Sequence, residues 1–299
     1  MDDGSWPHVL IFPEIGMDKV SAQLAAQRLA AVQCCSWGHP VTSGFPTIDY
    51  FISSDLMEPA GATAHYSEQL IRLPNLSIYY EPGDVPPISV DRAQLGLRPE
   101  AVVYWCCQSL PKYLPQFDGV FARIAAEVPD SQFTFIEFGG GRGVTEMFRT
   151  RLERAFKAFG LDAKDYCVFL PRLAPDRFVA AVGQCDVVLD SIGWSGCNSI
   201  LESLVYNIPI VTFAGEMMRG RHTAAVLDMM DIRDTTARTI DEYVSIAGSL
   251  GRNVARRSEL SARIAEKKHR VYRDRDCIVA LEAFLDSAVR KNGVHLYEA

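Results

Sequence analysis

Short apolar runs alternate with amphipathic segments along much of the chain. In the first part, apolar runs at 9–12, 32–37 and 47–53 predict three β-strands. The helical spacing of apolar residues within 19–31 predicts a helix after the first strand. Proline and glycine then interrupt residues 74–99, where no period is evident, which is typical of a connection between domains.

The alternation is more regular after residue 100. The predicted strands cover 101–107, 132–138, 167–170, 186–190 and 209–213. The predicted helices cover 117–127, 145–159, 175–182 and 198–206, and the region 239–291 is helical. Strands alternating with helices at this interval predict right-handed crossovers and a parallel sheet that helices cover on both faces.

This pattern predicts an α/β protein with two unequal domains. Residues 87–299 are long enough for one complete doubly wound domain, whereas residues 1–86 are too short for a second of the same size. The first part is therefore either a small appendage or the end of a larger domain. The sequence shows no repeat of 20–50 residues, which excludes a solenoid of repeats.

Composition and charge narrow the class of protein. The chain has 299 residues, 30 lysines and arginines against 37 acidic residues, and a net charge of −7, so no overall basic field favours nucleic acid. No apolar run approaches the roughly 20 residues that span a bilayer, and the acidic N-terminus is unlike a signal peptide. Eight cysteines without a CxxC or zinc-ligand spacing predict reduced thiols in a cytoplasmic protein.

The junction after the strand that ends at Asp190 has features of a nucleotide site. Ligands bind at the carboxyl ends of strands in parallel sheets, and here small residues lead to Asn198 and Ser199, either of which can cap a helix. Gly196 lets backbone N–H groups approach a ligand, and a helix N-terminus favours a diphosphate. Glu202 lies one turn on, placed to accept hydrogen bonds from sugar hydroxyls. The alternative is an ordinary capped helix with an exposed acid.

Two further junctions carry candidate functional residues. Lys112 follows the strand at 101–107 and is either a phosphate partner for the Asn198 helix or a solvated lysine. His39, within Gly38-His39-Pro40, is either an acid/base or sugar-binding group or a structural residue of a turn. The sequence has no nucleophile elbow, P-loop or acidic metal cluster, which favours chemistry without a metal.

The glycine loop at 139–143 follows a predicted strand and precedes a helix. It resembles the glycine motif of S-adenosylmethionine methyltransferases, but its spacing is not G-x-G-x-x-G. The acid expected after the next strand is also missing, because that strand runs into Pro171-Arg172. A flexible loop with a left-handed glycine is the alternative.

Several motifs together resemble the O-linked N-acetylglucosaminyltransferase family, especially its bacterial SPINDLY-type members. They are Gly38-His39-Pro40, Thr42-Ser43-Gly44, Asp49-Tyr50 and His65-Tyr66-Ser67-Glu68 in the first part, and Gln108-Ser109-Leu110 with Lys112, Ala174-Pro175, the run 196–202 and the run 209–212 in the second. The match extends to about residue 285. It is more specific than a single glycine loop.

The resemblance implies a GT-B fold, with one complete Rossmann-like C-terminal domain and a truncated remnant of the N-terminal Rossmann-like domain. It implies metal-independent, inverting transfer of N-acetylglucosamine or another hexose to Ser, Thr or Asn side chains of a protein acceptor. The expected donor is a nucleotide sugar linked to UDP. No cofactor besides the donor is expected. Nucleic acid and membrane are not expected partners.

The resemblance also implies roles for individual residues. Lys112 would bind the diphosphate and stabilise the departing UDP, and His39 is the second catalytic candidate. The positions that match donor-binding residues are Gly38, Pro40, Gln108, Ser109, Lys112, Ala174, Gly196, Asn198, Ser199 and Glu202. Among them, Asn198 and Ser199 correspond to phosphate contacts, Glu202 to the ribose contact, and Gly38 and Pro40, with His39, to a loop near the donor sugar.

Two departures from the family affect the expected function. Cys197 lies where animal members of the family have a histidine. Ser109 lies where they have a glutamine that is expected to contact the base, so the resemblance does not specify which base this chain recognises. The chain also begins near what resembles the last strand and helix of the N-terminal catalytic domain, without the family histidine proposed to act there and without acceptor-recruiting TPR helices. The sequence therefore predicts donor binding with poor activity alone. The alternatives are a nucleotide-binding module without catalysis and a methyltransferase that uses the loop at 139–143.

Overall fold

The computed structural model describes residues 7–38, 40–85 and 88–291. The strands in this part of the chain are β1 (Val9–Phe12), β2 (Val32–Ser36), β3 (Tyr50–Ser54), β4 (Gln69–Leu73), β5 (Val102–Cys106), β6 (Ser131–Ile136), β7 (Cys167–Leu170), β8 (Val187–Leu189), β9 (Ile210–Phe213) and β10 (Thr236–Ala237). The helices are α1 (Lys19–Ala25), α2 (Gly119–Glu127), α3 (Arg142–Lys157), α4 (Ala163–Tyr166), α5 (Pro175–Val182), α6 (Asn198–Ser203), α7 (His222–Met229), α8 (Ile240–Arg252), α9 (Val254–Lys267) and α10 (Asp276–Lys291). No helix in these residues is both long and apolar enough to cross a bilayer.

The chain divides into two compact units. The first comprises the described parts of Met1–Tyr80, Glu216–Arg219 and Val271–Ala299, and the second comprises those of Glu81–Gly215 and Gly220–Arg270. The predicted domain boundary between residues 86 and 87 lies outside the described residues. The last helix, which the pattern assigned to the second domain, groups with the first unit.

The first unit is built on a four-stranded parallel sheet in the order β1-β2-β3-β4. The apolar face of α10 explains why that helix belongs here: Leu281, Phe284 and Ala288 pack against the sheet, and the Phe284 ring lies 5.1 Å from that of Tyr50. Burial of this apolar surface stabilises the unit across a long separation in sequence.

The helix predicted over 19–31 is shorter in the structure. Asp18 caps its start by accepting a hydrogen bond from the Ser21 amide at 2.7 Å. The chain after α1 bonds instead to the buried Gln33 side chain, which accepts from the Leu29 amide at 2.6 Å and donates to the Gln27 carbonyl at 3.0 Å. These bonds replace the next helical turn.

The second unit contains a six-stranded parallel sheet in the order β10-β9-β8-β5-β6-β7. From β5 the chain moves outward to β6 and β7, then returns to the other side of β5 for β8, β9 and β10. The strand order therefore reverses between β5 and β8. In doubly wound sheets the crevice at such a reversal, outside the carboxyl ends of the strands, is where ligands bind.

Candidate functional site

The carboxyl ends of β5 and β8 bring together residues that are far apart in sequence. After β5, Gln108 is buried, and its Nε2 atom donates to the Ser199 hydroxyl at 2.5 Å. The Nζ atom of Lys112 donates to the Gln108 Oε1 atom at 3.3 Å. A lysine, an amide and a hydroxyl from two strand-to-helix junctions thus form one connected group at the reversal of strand order.

The loop after β8 approaches this group closely at one glycine. A Cβ atom at Gly196 would lie 2.3 Å from Gln108 Nε2 and 2.9 Å from Ile200 Cγ1, closer than any side chain tolerates. Glycine at this position is therefore required for the Gln108 amide to reach Ser199. The ring of Trp194, in the same loop, lies 5.9 Å from Lys112 Nζ, within range of a cation–π interaction.

Burial controls the electrostatics of the group. It lowers the pKa of Lys112, while the negative charge of Asp190 raises it. Burial, with a smaller contribution from Lys112, lowers the pKa of His222 to about 4, so the imidazole is neutral near pH 7. Burial also raises the pKa of Cys197 to about 12, which keeps it a thiol. Lys112 is then the cation that the group offers to a ligand.

Helix α6 carries three of the predicted residues on its first two turns. Ser199 joins the connected group, whereas Asn198 is exposed and Glu202 is half-buried. Burial raises the pKa of the Glu202 carboxyl. The amide groups of a first helical turn have no acceptor within their own helix, so they are available to an anion.

A cavity of about 580 Å³ adjoins the group at the carboxyl ends of β5 and β6. Its lining includes Gln108, Ser109, the glycine loop at 139–140, Arg172 and Phe178. Ala174 lies one residue beyond the lining residue Leu173, at the N-cap of α5. The volume and the mixed polar and apolar lining suit a flat heterocycle with its sugar.

The structure thus brings Gln108, Lys112, Gly196 and Ser199 together, and it puts Ser109 in the adjoining cavity. The glycine loop at 139–143 lines that cavity in part, where a Cβ atom at Gly139 would meet Arg172 Nη1 at 3.3 Å. Sequence reasoning did not identify Trp194 as a neighbour of Lys112. Trp194 lies between Gly193 and Gly196. An aromatic residue in a loop that contains glycines was the sequence signal that could have identified it.

The loop after β2 in the first unit contains the remaining predicted residues. At Gly38, a Cβ atom would lie 2.8 Å from the Pro13 carbonyl oxygen, so the chain passes too close for a side chain. Pro40 is partly buried, and His39 lies outside the described residues. Beyond them, the buried Glu68 carboxylate accepts hydrogen bonds from Thr42 Oγ1 at 2.6 Å and from the Ser43 amide at 2.7 Å.

Residues 81–273 match the model of glycosyl transferase family 41. The chain belongs to this family. The expected resemblance is confirmed, and the methyltransferase alternative is not favoured by a family of glycosyltransferases.

Named relatives and solved structures agree with this membership. The chain is 29% identical over 245 residues to a Petunia hybrida protein named as a probable UDP-N-acetylglucosamine–peptide N-acetylglucosaminyltransferase, SPINDLY, covering 81% of this chain and 26% of that protein. It is 26% identical to a UDP-glucose:protein N-β-glucosyltransferase of Actinobacillus pleuropneumoniae, covering 86% of this chain and 40% of the relative. The relatives that this chain resembles are therefore named for two different donor sugars.

Among solved structures, a mutant O-GlcNAc transferase of Thermobaculum terrenum superposes with a TM-score of 0.79 at 25% identity, covering 95% of this chain and 53% of the other. The pneumococcal O-GlcNAc transferase GtfA, in complex with UDP and GlcNAc, has a TM-score of 0.53 at 12% identity, covering 94% and 57%, and shares the fold. These neighbours confirm the expected GT-B class. This chain spans a quarter to about half of the length of these relatives.

Proposed function

We propose that this chain provides the nucleotide-sugar-binding part of a metal-independent, inverting glycosyltransferase that acts in the cytoplasm. The donor is a UDP-linked hexose, N-acetylglucosamine or glucose, because similar proteins are named for both sugars. The acceptor is a protein with Ser, Thr or Asn side chains. Support for the donor also comes from a structural neighbour that was solved with UDP and GlcNAc.

One observation carries this proposal: Gln108 bridges Lys112 and Ser199 by hydrogen bonds at the reversal of strand order. A half-buried ammonium group beside an amide and a hydroxyl is suited to a diphosphate. When the bond to the sugar breaks, negative charge develops on the leaving UDP. A cation already in place stabilises that charge without reorganisation of solvent.

The remaining assignments follow from the position of each residue. The first-turn amides of α6, at Asn198 and Ser199, would bind phosphate oxygens, and Glu202 would accept from the ribose hydroxyls. The cavity beside Ser109 and Ala174 would hold the base. Gly38 and Pro40 stay predicted contacts of the donor sugar. His39, the second catalytic candidate, also stays a prediction.

The test is calorimetric titration of the purified chain with UDP, UDP-N-acetylglucosamine and UDP-glucose. Removal of the ammonium by Lys112→Ala should weaken UDP binding by about 1.5–3 kcal/mol, the scale of a charge-assisted hydrogen bond. Lys157→Ala, at the exposed end of α3, is the matched control and should leave the affinity unchanged. Equal UDP affinity in the Lys112→Ala variant and the wild type would contradict the assignment of Lys112 to the UDP-binding site.

Whether this chain transfers sugar as well as binding it is a separate question. The chain spans only part of its relatives, so nucleotide binding without catalysis is the alternative. A transfer assay with radiolabelled donor and acceptor peptides separates the two. Binding without labelled product supports the alternative, and product formation supports the enzyme.

A further inference from the structure

A buried carboxylate beneath the connected group is positioned to control its geometry. We propose that Asp190 is a positioning residue for diphosphate binding: it fixes Ser195 and Gly196 so that Gln108, Lys112 and Ser199 face one ligand. This inference rests on the proposed function. Asp190 itself is only 3% exposed, so it acts through other residues and not by direct contact with the nucleotide.

Asp190 gathers donors from two separate segments of the chain. Its Oδ1 atom accepts from the Gly196 amide at 2.8 Å, and its Oδ2 atom accepts from Ser195 Oγ at 2.6 Å and from Thr212 Oγ1, on β9, at 2.7 Å. The main chain of Asp190 is fixed as well, because its carbonyl accepts from the Tyr243 hydroxyl at 2.8 Å. The carboxylate is thus a rigid anchor at the end of β8.

Helix α7 holds the same two loop residues from the other side. The Thr223 amide donates to Ser195 Oγ at 2.9 Å, and the Thr223 hydroxyl donates to the Gly196 carbonyl at 3.1 Å. Ser195 therefore accepts from Thr223 while donating to Asp190, which orients its hydroxyl. Both the amide and the carbonyl of Gly196 are tied to buried partners.

The position of Gly196 determines the position of the Gln108 amide. The two are in such close contact that a Cβ atom at residue 196 would lie 2.3 Å from Gln108 Nε2. A displacement of Gly196 towards Gln108 would therefore push the amide away from Ser199 and Lys112. The negative charge of Asp190 also raises the pKa of Lys112 against the effect of burial, which helps keep the ammonium charged.

The test compares UDP with uridine, which lacks the diphosphate, in the full chain. Asp190→Asn keeps the size of the side chain but removes its charge and one acceptor oxygen. The dissociation constant for UDP, measured by calorimetry, should rise at least tenfold. The constant for uridine, measured by ligand-observed NMR, should change less than twofold, because the base cavity does not contact Asp190. If Asp190 had only a structural role, the substitution would weaken the binding of UDP and of uridine equally.

Matched variants separate positioning from loss of stability. Asp118→Asn removes another buried carboxylate of the second unit, which pairs with Arg151 at 2.6 Å, and should lower the melting temperature without changing either constant. Thr212→Val removes one donor to Asp190 and should raise the UDP constant two- to fivefold even if the Asn variant does not fold. Gly196→Ala should reproduce the selective loss with Asp190 intact.

The outcomes distinguish this inference from the function on which it rests. No UDP binding by the wild type overturns the proposed function before any variant is made. UDP binding by the wild type that is unchanged in the Asp190→Asn and Thr212→Val variants overturns the positioning role alone. An equal loss of UDP and uridine affinity also overturns it.

Discussion

Two loops, one in each unit, follow a buried parallel strand and are each held by one buried carboxylate. After β2, Glu68 accepts from Thr42 Oγ1 at 2.6 Å and from the Ser43 amide at 2.7 Å. After β8, Asp190 accepts from Ser195 Oγ at 2.6 Å and from the Gly196 amide at 2.8 Å. Both units thus fix a loop by the same means, a buried carboxylate that accepts from one backbone amide and from at least two hydroxyl groups.

The surroundings of the two carboxylates differ. The donors to Asp190 are buried, whereas Thr42 and Ser43 are only partly buried. Burial raises the pKa of Asp190 although the hydrogen bonds from Gly196, Ser195 and Thr212 lower it. Burial also raises the pKa of Glu68, but the bonds from Ser43 and Thr42 together outweigh it, so this pKa lies below its ordinary value. Hydrogen bonding of the same kind therefore does not give the same direction of pKa shift when access of water differs.

The largest expected effect comes from deleting each carboxylate. Asp190→Ala leaves three donors without an acceptor in a place that water does not reach, and should lower the free energy of unfolding by about 4 kcal/mol. Glu68→Ala should cost about 2 kcal/mol, because water can replace the carboxylate at the partly exposed donors. Urea denaturation of both variants measures the difference. An equal loss of stability in the two variants, or a larger loss for Glu68→Ala, would show that access of water does not determine the cost of removing the carboxylate.

The next effect concerns the glycines of the two loops. Gly44 (φ 68°) and Gly193 (φ 87°) both have left-handed backbones, but a Cβ atom at Gly44 would meet nothing within 4 Å, whereas one at Gly193 would lie 2.7 Å from Leu114 Cδ1. Gly44→Ala should therefore cost about 1 kcal/mol from backbone strain alone. Gly193→Ala should cost about 2–3 kcal/mol, because Leu114 must also move. Chemical denaturation measures both costs, and equal values would contradict the role of Leu114.

Much of the fold was predictable because the strands are continuous apolar runs between glycine and proline. The predicted bounds of β1, β7 and α5 agree with the structure residue for residue. Helix α7 was missed because nearly all of it is buried, from Thr223 to Leu227, so it has no polar face to reveal a helical period. Strand β4 was missed because its polar residues are exposed at the edge of the sheet.

The sequence indicated which junctions carry candidate residues, but not how their side chains connect. A lysine after one strand and a helix after another were candidate partners, since both follow carboxyl ends of a parallel sheet. The bridge that Gln108 forms between Ser199 and Lys112 depends on side-chain geometry, and so does the contact of Gly196 with Gln108. The anchoring of the first loop by Glu68 joins residues about 25 positions apart, which no local pattern indicates.

The smallest expected effect is an opposite response of the two carboxylates to pH. The pKa of Glu68 is lowered on folding, so its contribution to stability is present above its unfolded value, about 4.3, and is lost as the pH falls through the folded pKa. The pKa of Asp190 is raised on folding, so its contribution is present below about 3.9 and is lost as the pH rises through the folded pKa. The stability advantage of the wild type over Glu68→Gln should therefore grow with pH, and its advantage over Asp190→Asn should shrink.

Urea denaturation of the wild type and both variants between about pH 3 and pH 7 measures these slopes. Taking differences from the wild type removes the contribution of the other carboxylates, which titrate in all three proteins. Because each variant keeps the size of the side chain, the slope of each difference reports the charge and not the packing. Slopes of the same sign would mean that burial and hydrogen bonding are balanced alike in the two loops, and the distinction between the anchors would then be lost.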